Sequence, residues 1–255
     1  MKSLKVLAIG NSFSQDSMEY LWHIAKNAGY QDIRLGNLIV PGCNLERHWK
    51  NANFAVSEYI YAKNTDGVWK ETADKKIKDG LLDEEWDIIT LQQESGKSGL
   101  PGTYQPYLNN MINFIREHNQ TCKIMWNMTW AYPNGSDHPH FEYYNNDQYT
   151  MYKAIVNAVR EVILPNDKIA GVIPTGTAIQ NMRTSVIGDN LNRDGFHLSL
   201  DYGRYIASLM WFKALTNESI DKITYRPEGI ARDILDIIKK AVNNAYEHPF
   251  EVIEL

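Results

Sequence analysis

The stretch Gly10-Asn11-Ser12-Phe13-Ser14 lies between a short apolar run, Leu4 to Ile9, and a segment with helical spacing from Asp16 to Ala28. A serine on a sharp turn between a strand and a helix sits beside backbone N–H groups and the positive end of the helix dipole, a setting that favours an oxyanion. Alone, such a serine reads as a helix N-cap, and Ser14 is the better placed of the two for that role. Far along the chain, Asp194-Gly195-Phe196-His197 puts a carboxylate three residues before an imidazole. A tight turn at Gly195 lets Asp194 reach Nδ1 of His197, which fixes the tautomer and leaves Nε2 to take a proton from a serine hydroxyl. Alone, that pair reads as a surface turn. Taken together, the two stretches provide the groups for acyl transfer through an activated hydroxyl, provided the fold brings them to one crevice.

The elements that must do so are legible from periodicity. Short apolar runs at Leu4 to Ile9, Ile33 to Val40, Trp86 to Leu91, Ile124 to Met128 and Ile169 to Ile173 read as buried strands. Helical spacing appears at Asp16 to Ala28, Tyr107 to His118 and Asp147 to Leu164, then after Ser199 and from Glu228 to Tyr246. Strands alternating with helices predict a three-layer α/β/α arrangement with a mostly parallel five-stranded sheet. In such sheets the working residues gather at the C-terminal strand ends. Two stretches break the alternation. Phe54 to Thr72, with Asn64-Thr65-Asp66-Gly67 inside it, reads as a β-hairpin insertion. Tyr132 to Asn146 reads as a long loop, rich in aromatics, His, Asn and Pro.

The 255 residues are 44% apolar and 22% charged, enough for one well-buried core. With no internal repeat, low-complexity tract or linker, residues 1–255 read as a single domain. The balance of 26 basic against 31 acidic residues leaves no basic stripe, so nucleic-acid binding lacks electrostatic support. Cys43 and Cys122 form no CxxC pair, which argues against a zinc knuckle or disulfide framework. No run is long and apolar enough to predict a membrane span. No secretory signal precedes the first strand, so the chain as read is expected in the cytoplasm, or in the periplasm or outside if a signal has been removed. The oligomeric state is not legible.

Gly10-Asn11-Ser12-Phe13-Ser14 resembles the first block of the SGNH (GDSL-type) hydrolase superfamily, with Asn11 where Asp is usual, and Asp194-Gly195-Phe196-His197-Leu198-Ser199 resembles its last, DxxH block. The resemblance implies a flavodoxin-like fold, Ser12 as nucleophile, His197 as general base and Asp194 as its orienter, with no cofactor and no metal. It also implies an oxyanion hole built from the N–H of Ser12, the N–H of a glycine after the second strand and a side-chain amide after the third. Gly42, in Pro41-Gly42-Cys43-Asn44, matches the glycine in position, with Gly36 the fallback. The third block departs from the usual Gly-x-Asn-Asp. Gln92-Gln93-Glu94-Ser95-Gly96 more closely resembles the Gln-Gly-Glu-Ser run of sialate and acetylxylan esterases, which makes Gln92 the candidate donor and Gln93 the second choice. GNSFS, WDIITLQQES, the run from Pro174 to Ile179 and RDGFHLS together resemble an uncharacterised bacterial branch of the superfamily.

The expectation is therefore a serine esterase acting on a small acyl group, most simply acetyl, carried by a carbohydrate. Asn11, Gln93, His48, Trp130 and Tyr132 are candidate substrate contacts, because aromatic faces suit sugar C–H surfaces and polar side chains suit hydroxyls. A lysophospholipase or thioesterase, or a non-catalytic carbohydrate binder on the same fold, are the alternatives. Gly96-Lys97-Ser98 is not a phosphate loop, since the glycine required five residues earlier is Leu91. Asp137-His138-Pro139-His140 offers metal-ligating types but no well-placed third ligand in sequence.

Overall fold

The computed structural model describes residues 1–255. Its strands are β1 (Ser3–Gly10), β2 (Asp32–Ile39), β3 (Tyr59–Asn64), β4 (Lys70–Lys75), β5 (Ile88–Leu91), β6 (Lys123–Asn127) and β7 (Gly171–Ile173). Val6, Leu7, Ala8 and Ile9 are wholly buried, side chains of both faces alike. That is the mark of a central parallel strand covered on both sides. β1 pairs in parallel with β2 along its whole length, Ser3 opposite Asp32 to Gly10 opposite Ile39, and with β5 on its other edge. β5, β6 and β7 continue the parallel ladder.

The sheet has seven strands in the order β4-β3-β2-β1-β5-β6-β7, rather than the five expected. The five parallel strands are those read from the sequence. The hairpin adds β3 and β4 because β3 pairs antiparallel with the open edge of β2. It starts at Tyr59 rather than Phe54, since Leu45–Phe54 forms a helix.

The helices are α1 (Ser12–Met18), α2 (Leu21–Asn27), α3 (Leu45–Phe54), α4 (Ile77–Leu81), α5 (Tyr107–His118), α6 (Gln148–Ala158, continued by a π turn to Ile163), α7 (Thr175–Arg183), α8 (Tyr202–Thr216) and α9 (Arg232–Glu247). α1, α2, α7, α8 and α9 pack among themselves, and α3, α4 and α5 do likewise. The chain leaves β1 through α1 and α2 to reach β2 on one side, then returns through α3 and α4 to β5 on the other. Right-handed crossovers in opposite directions put their helices on opposite faces. The reversal opens a crevice at the C-terminal end of β1, where Ser12 lies.

The expected Asp16–Ala28 helix is two helices. The N–H of Tyr20 donates to Oγ of Ser208 in α8, 3.0 Å away, which takes it out of the helical ladder. Periodicity could not reveal that tertiary partner. The first helix also begins earlier than expected. Its N-cap is Asn11, whose Oδ1 accepts from the N–H of Phe13, and not Ser14. Ser14 is buried inside the helix and donates to the carbonyl of Asn11 and to Oδ1 of Asn37.

Candidate active site

Ser12 is the first residue of α1, so its N–H has no acceptor within the helix. Its Oγ lies 2.8 Å from Nε2 of His197, 185 residues away in sequence. Nδ1 of His197 lies 2.9 Å from Oδ2 of Asp194. The other carboxylate oxygen accepts from the N–H of His197 at 2.7 Å and of Phe196 at 3.2 Å. Burial would raise the Asp194 carboxyl, but the His197 ring and these two N–H groups outweigh it and hold it below its ordinary value.

A ladder of buried amides runs behind Ser12 along the strand ends. Oδ1 of Asn11 accepts from Nε2 of Gln92 at 2.9 Å, and Oε1 of Gln92 accepts from Nδ2 of Asn127 at 3.0 Å. Oδ1 of Asn127 accepts from the Thr175 hydroxyl at 2.7 Å and the Trp211 indole at 3.2 Å. Asn11, Gln92, Asn127 and Thr175 follow or close β1, β5, β6 and β7 in turn. Nδ2 of Asn11 donates to the carbonyl of Cys43 at 3.1 Å. An aspartate has no such donor, which is a physical reason for asparagine at this position.

That bond ties the Ser12 turn to the turn carrying Gly42. The N–H of Cys43 closes on the carbonyl of Val40 at 3.1 Å, with Pro41 and Gly42 at the centre. Gly42 has φ +62°, and a Cβ there would meet nothing within 4 Å, so the turn demands glycine for its backbone alone. The Gly42 N–H makes no hydrogen bond in the protein. Gly36, by contrast, lies in β2 against Trp86 and Leu7, away from the cleft.

A cleft of roughly 350 Å³ is lined by Asn11, Ser12, Phe13, Pro41, Gly42, Glu94, Ser95, His138, Phe196 and His197. Of the sequence candidates, Asn11 and Gly42 reach it with Ser12 and His197, while Asp194 backs the His197 ring. Gln92 does not line it: the residue is buried and its amide is committed to the ladder. Gln93 is also buried, with Oε1 accepting from the N–H groups of Leu45 and Glu94 and Nε2 donating to Thr103. Gln92 thus holds the side chains of Asn11 and Asn127, and Gln93 holds the backbone at Leu45, Glu94 and Thr103; neither amide is turned to the cleft.

His48 is buried beside Tyr59, its Nδ1 2.9 Å from the tyrosine hydroxyl; burial first, and then the Arg47 charge, lower its pKa to about 3. Trp130 stacks on Phe13 at 4.0 Å and donates its indole N–H to the carbonyl of Phe196. Tyr132 is buried with its hydroxyl 2.8 Å from Oγ of Ser95. None of these three lines the cleft.

Three residues that sequence reading passed over matter as much. Asp16, wholly buried, accepts from Arg193 at 3.0 Å, from Arg204 at 2.8 Å and from the N–H of Leu198 at 2.9 Å. Arg193 also donates to the carbonyl of Leu198. Asp16 is one helical turn from Ser12, and Arg193 and Leu198 flank Asp194 and His197, so this ion cluster joins the two halves of the site. The only signal in sequence was a charge on an otherwise buried helix face. No helix is long and apolar enough to cross a membrane.

The chain matches the family model "Domain of unknown function (DUF4886)" over residues 5–245, and it belongs to that family. The crystal structure of a DUF4886 family protein from Bacteroides uniformis is 42% identical, with a TM-score of 0.96, and the match covers 100% of this chain and 98% of that one. More distant structures share the fold. A catalytic mutant of an acetylxylan esterase from Geobacillus stearothermophilus is 11% identical, with a TM-score of 0.52 and 89% and 99% of the two chains covered. A protein provisionally classed as an SGNH hydrolase, from Slackia heliotrinireducens, is 17% identical, with a TM-score of 0.54 and 83% and 98% covered. None of the curated proteins matches.

Proposed function

We propose that this DUF4886 protein is a serine esterase in which residues 1–255 act as one SGNH-type domain. The observation that carries the reading is the unbroken relay from Asp194 through His197 to Ser12, with contacts of 2.9 and 2.8 Å at the edge of an open cleft. Ionised Asp194 accepts from Nδ1–H of His197, which leaves Nε2 with the lone pair facing the Ser12 hydroxyl. Ser12 Oγ attacks the ester carbonyl as Nε2 takes its proton. The tetrahedral oxyanion is met by the N–H of Ser12 and the free N–H of Gly42, two donors fixed before substrate arrives. His197 then protonates the leaving alcohol, and water, deprotonated by the same nitrogen, releases the acid. Gln92 contributes by holding Asn11, and through it both donor turns.

For substrate, we infer an acetyl or similarly short acyl group on a carbohydrate. A cleft of roughly 350 Å³ lies at the small end of the range for ligand pockets, and Glu94 and His138 give it polar groups suited to hydroxyls. The Gln-type third block and the fold shared with an acetylxylan esterase agree with this reading.

The test is hydrolysis of p-nitrophenyl acetate, followed by a screen of acetylated saccharides for released acetate. Ser12→Ala is expected to lower turnover on the order of 10⁴-fold or more while leaving the melting temperature close to that of the parent. Equal turnover in parent and variant, or no turnover by the parent on any acetyl ester, would overturn the reading.

A further inference from the structure

We propose that Glu94, His138 and His140 form a binding site for a divalent transition-metal ion of the zinc class in the wall of the Ser12 cleft. The sequence offers two histidines on the loop and no third ligand. The fold supplies it: Glu94 follows β5 and meets the loop from the other side. One ligand atom from each of the three residues lies within 4.8 Å of the others.

Two independent observations point to a ligand at this place. Glu94 is only 7% exposed, yet its Oε2 has no hydrogen-bond partner. Nδ1 of His140 is likewise buried and without a partner, 3.6 Å from Oε1 of Glu94. A buried carboxylate oxygen and a buried imidazole nitrogen left bare together are costly, and a shared cation satisfies both. The spacing also fits. A tetrahedral zinc with bonds of about 2.0–2.1 Å holds neighbouring ligand atoms roughly 3.3 Å apart. Glu94 and His140 are close to that already, at 3.6 Å, and His138 offers a ring nitrogen within 4.8 Å of both.

The surroundings hold these groups in place. Oε1 of Glu94 accepts from the N–H of Gly96 at 2.8 Å. The His140 ring lies so close over Gly96 that a Cβ there would fall 2.3 Å from Nδ1, so only glycine lets the ring reach the carboxylate. Nδ1 of His138 accepts from the N–H of His140 at 3.2 Å. To ligate through Nε2, His138 must move its ring proton to Nδ1 and give up that long hydrogen bond. Two imidazoles and one carboxylate suit zinc, and also cobalt or nickel, better than calcium or magnesium. Three protein ligands leave a coordination position, and Glu94 and His138 both line the cleft.

The test needs no ester, so its outcome is separate from that of the esterase reading. Untagged protein stripped with a chelator is titrated with zinc chloride by calorimetry and assayed for metal after dialysis. One equivalent is expected, with visible d–d absorption when cobalt is substituted. His140→Gln, at a partly exposed position, and Glu94→Gln are each expected to weaken zinc binding on the order of tenfold or more. Circular dichroism establishes that each variant is folded, and His140→Gln decides the matter if Glu94→Gln is not. Absence of stoichiometric binding overturns the proposal. So does binding that survives His140→Gln unchanged, which would place the metal on other histidines.

Discussion

Ser12 and His197 face one another across the cleft, yet the backbones that carry them are held in unlike ways. Ser12 opens a helix at the end of the central strand, and the amide ladder from Asn11 through Gln92 and Asn127 to Thr175 fixes its turn with uncharged hydrogen bonds. His197 stands in a stretch between α7 and α8 with little regular structure. Charge holds that stretch: Asp16 against Arg193 and Arg204, and the Asp194 carboxylate as acceptor for the His197 ring and backbone N–H. A strand end is rigid because its neighbours in the sheet are, so neutral hydrogen bonds suffice there. A loop has no ladder, and needs stronger, buried anchors to place a ring to within a few tenths of an ångström.

This contrast can be broken by substitution. Asp16→Ala should have the largest effect on stability, because it leaves Arg193 and Arg204 facing a buried gap and frees the Leu198 N–H. Urea denaturation is expected to give a loss of about 3–5 kcal/mol. Hydrolysis should fall with it, since the His197 segment loses its tie to α1. Asn127→Ala removes one rung of the ladder and leaves Gln92, Thr175 and Trp211 each short of a partner. A loss of about 1–3 kcal/mol is expected by the same measurement. If Asn127→Ala proves as damaging as Asp16→Ala, the two sides are not held differently.

A smaller effect separates them by pH. Asp194 has a folded pKa below its unfolded value, so its contribution is complete above the ordinary carboxyl range and is lost as pH falls through the lower, folded value. The ladder contains nothing that titrates. Hydrogen-exchange protection, taken relative to the intrinsic rate at each pH, should therefore fall around 194–198 as pH drops below about 4, while the amides around Gln92 keep theirs. Equal loss of protection on both sides would remove the distinction.

Much of this was open to reading in the sequence, and the failures share a cause. The five parallel strands and the helix Tyr107–His118 follow from local apolar periodicity. Ser12, Asp194 and His197 were expected to meet, and their side chains do: Ser12 follows a central parallel strand, and Asp16 in the same helix holds Arg193 and Leu198 on either side of the Asp194–His197 turn. The resemblance of its block to the Gln-Gly-Glu-Ser run made Gln92 the candidate oxyanion donor, whereas its amide is turned inward to a ladder whose adjacent members lie 35 and 81 residues away. Glu94 drew no notice beside His138 and His140 for the same reason: 44 residues separate it from the nearer histidine, counting from 94 to 138.

The sequence alone determined the alternation of elements, and with it the five parallel strands of the sheet and a crevice at their C-terminal ends. These depend on periodicity and on the handedness of crossovers, which act locally. Only the tertiary structure decided which polar side chains turn toward that crevice and which turn away from it. Asn, Gln, Asp and His satisfy their hydrogen bonds with whatever the fold brings near, and those partners are set by packing across the molecule and not by neighbours along the chain.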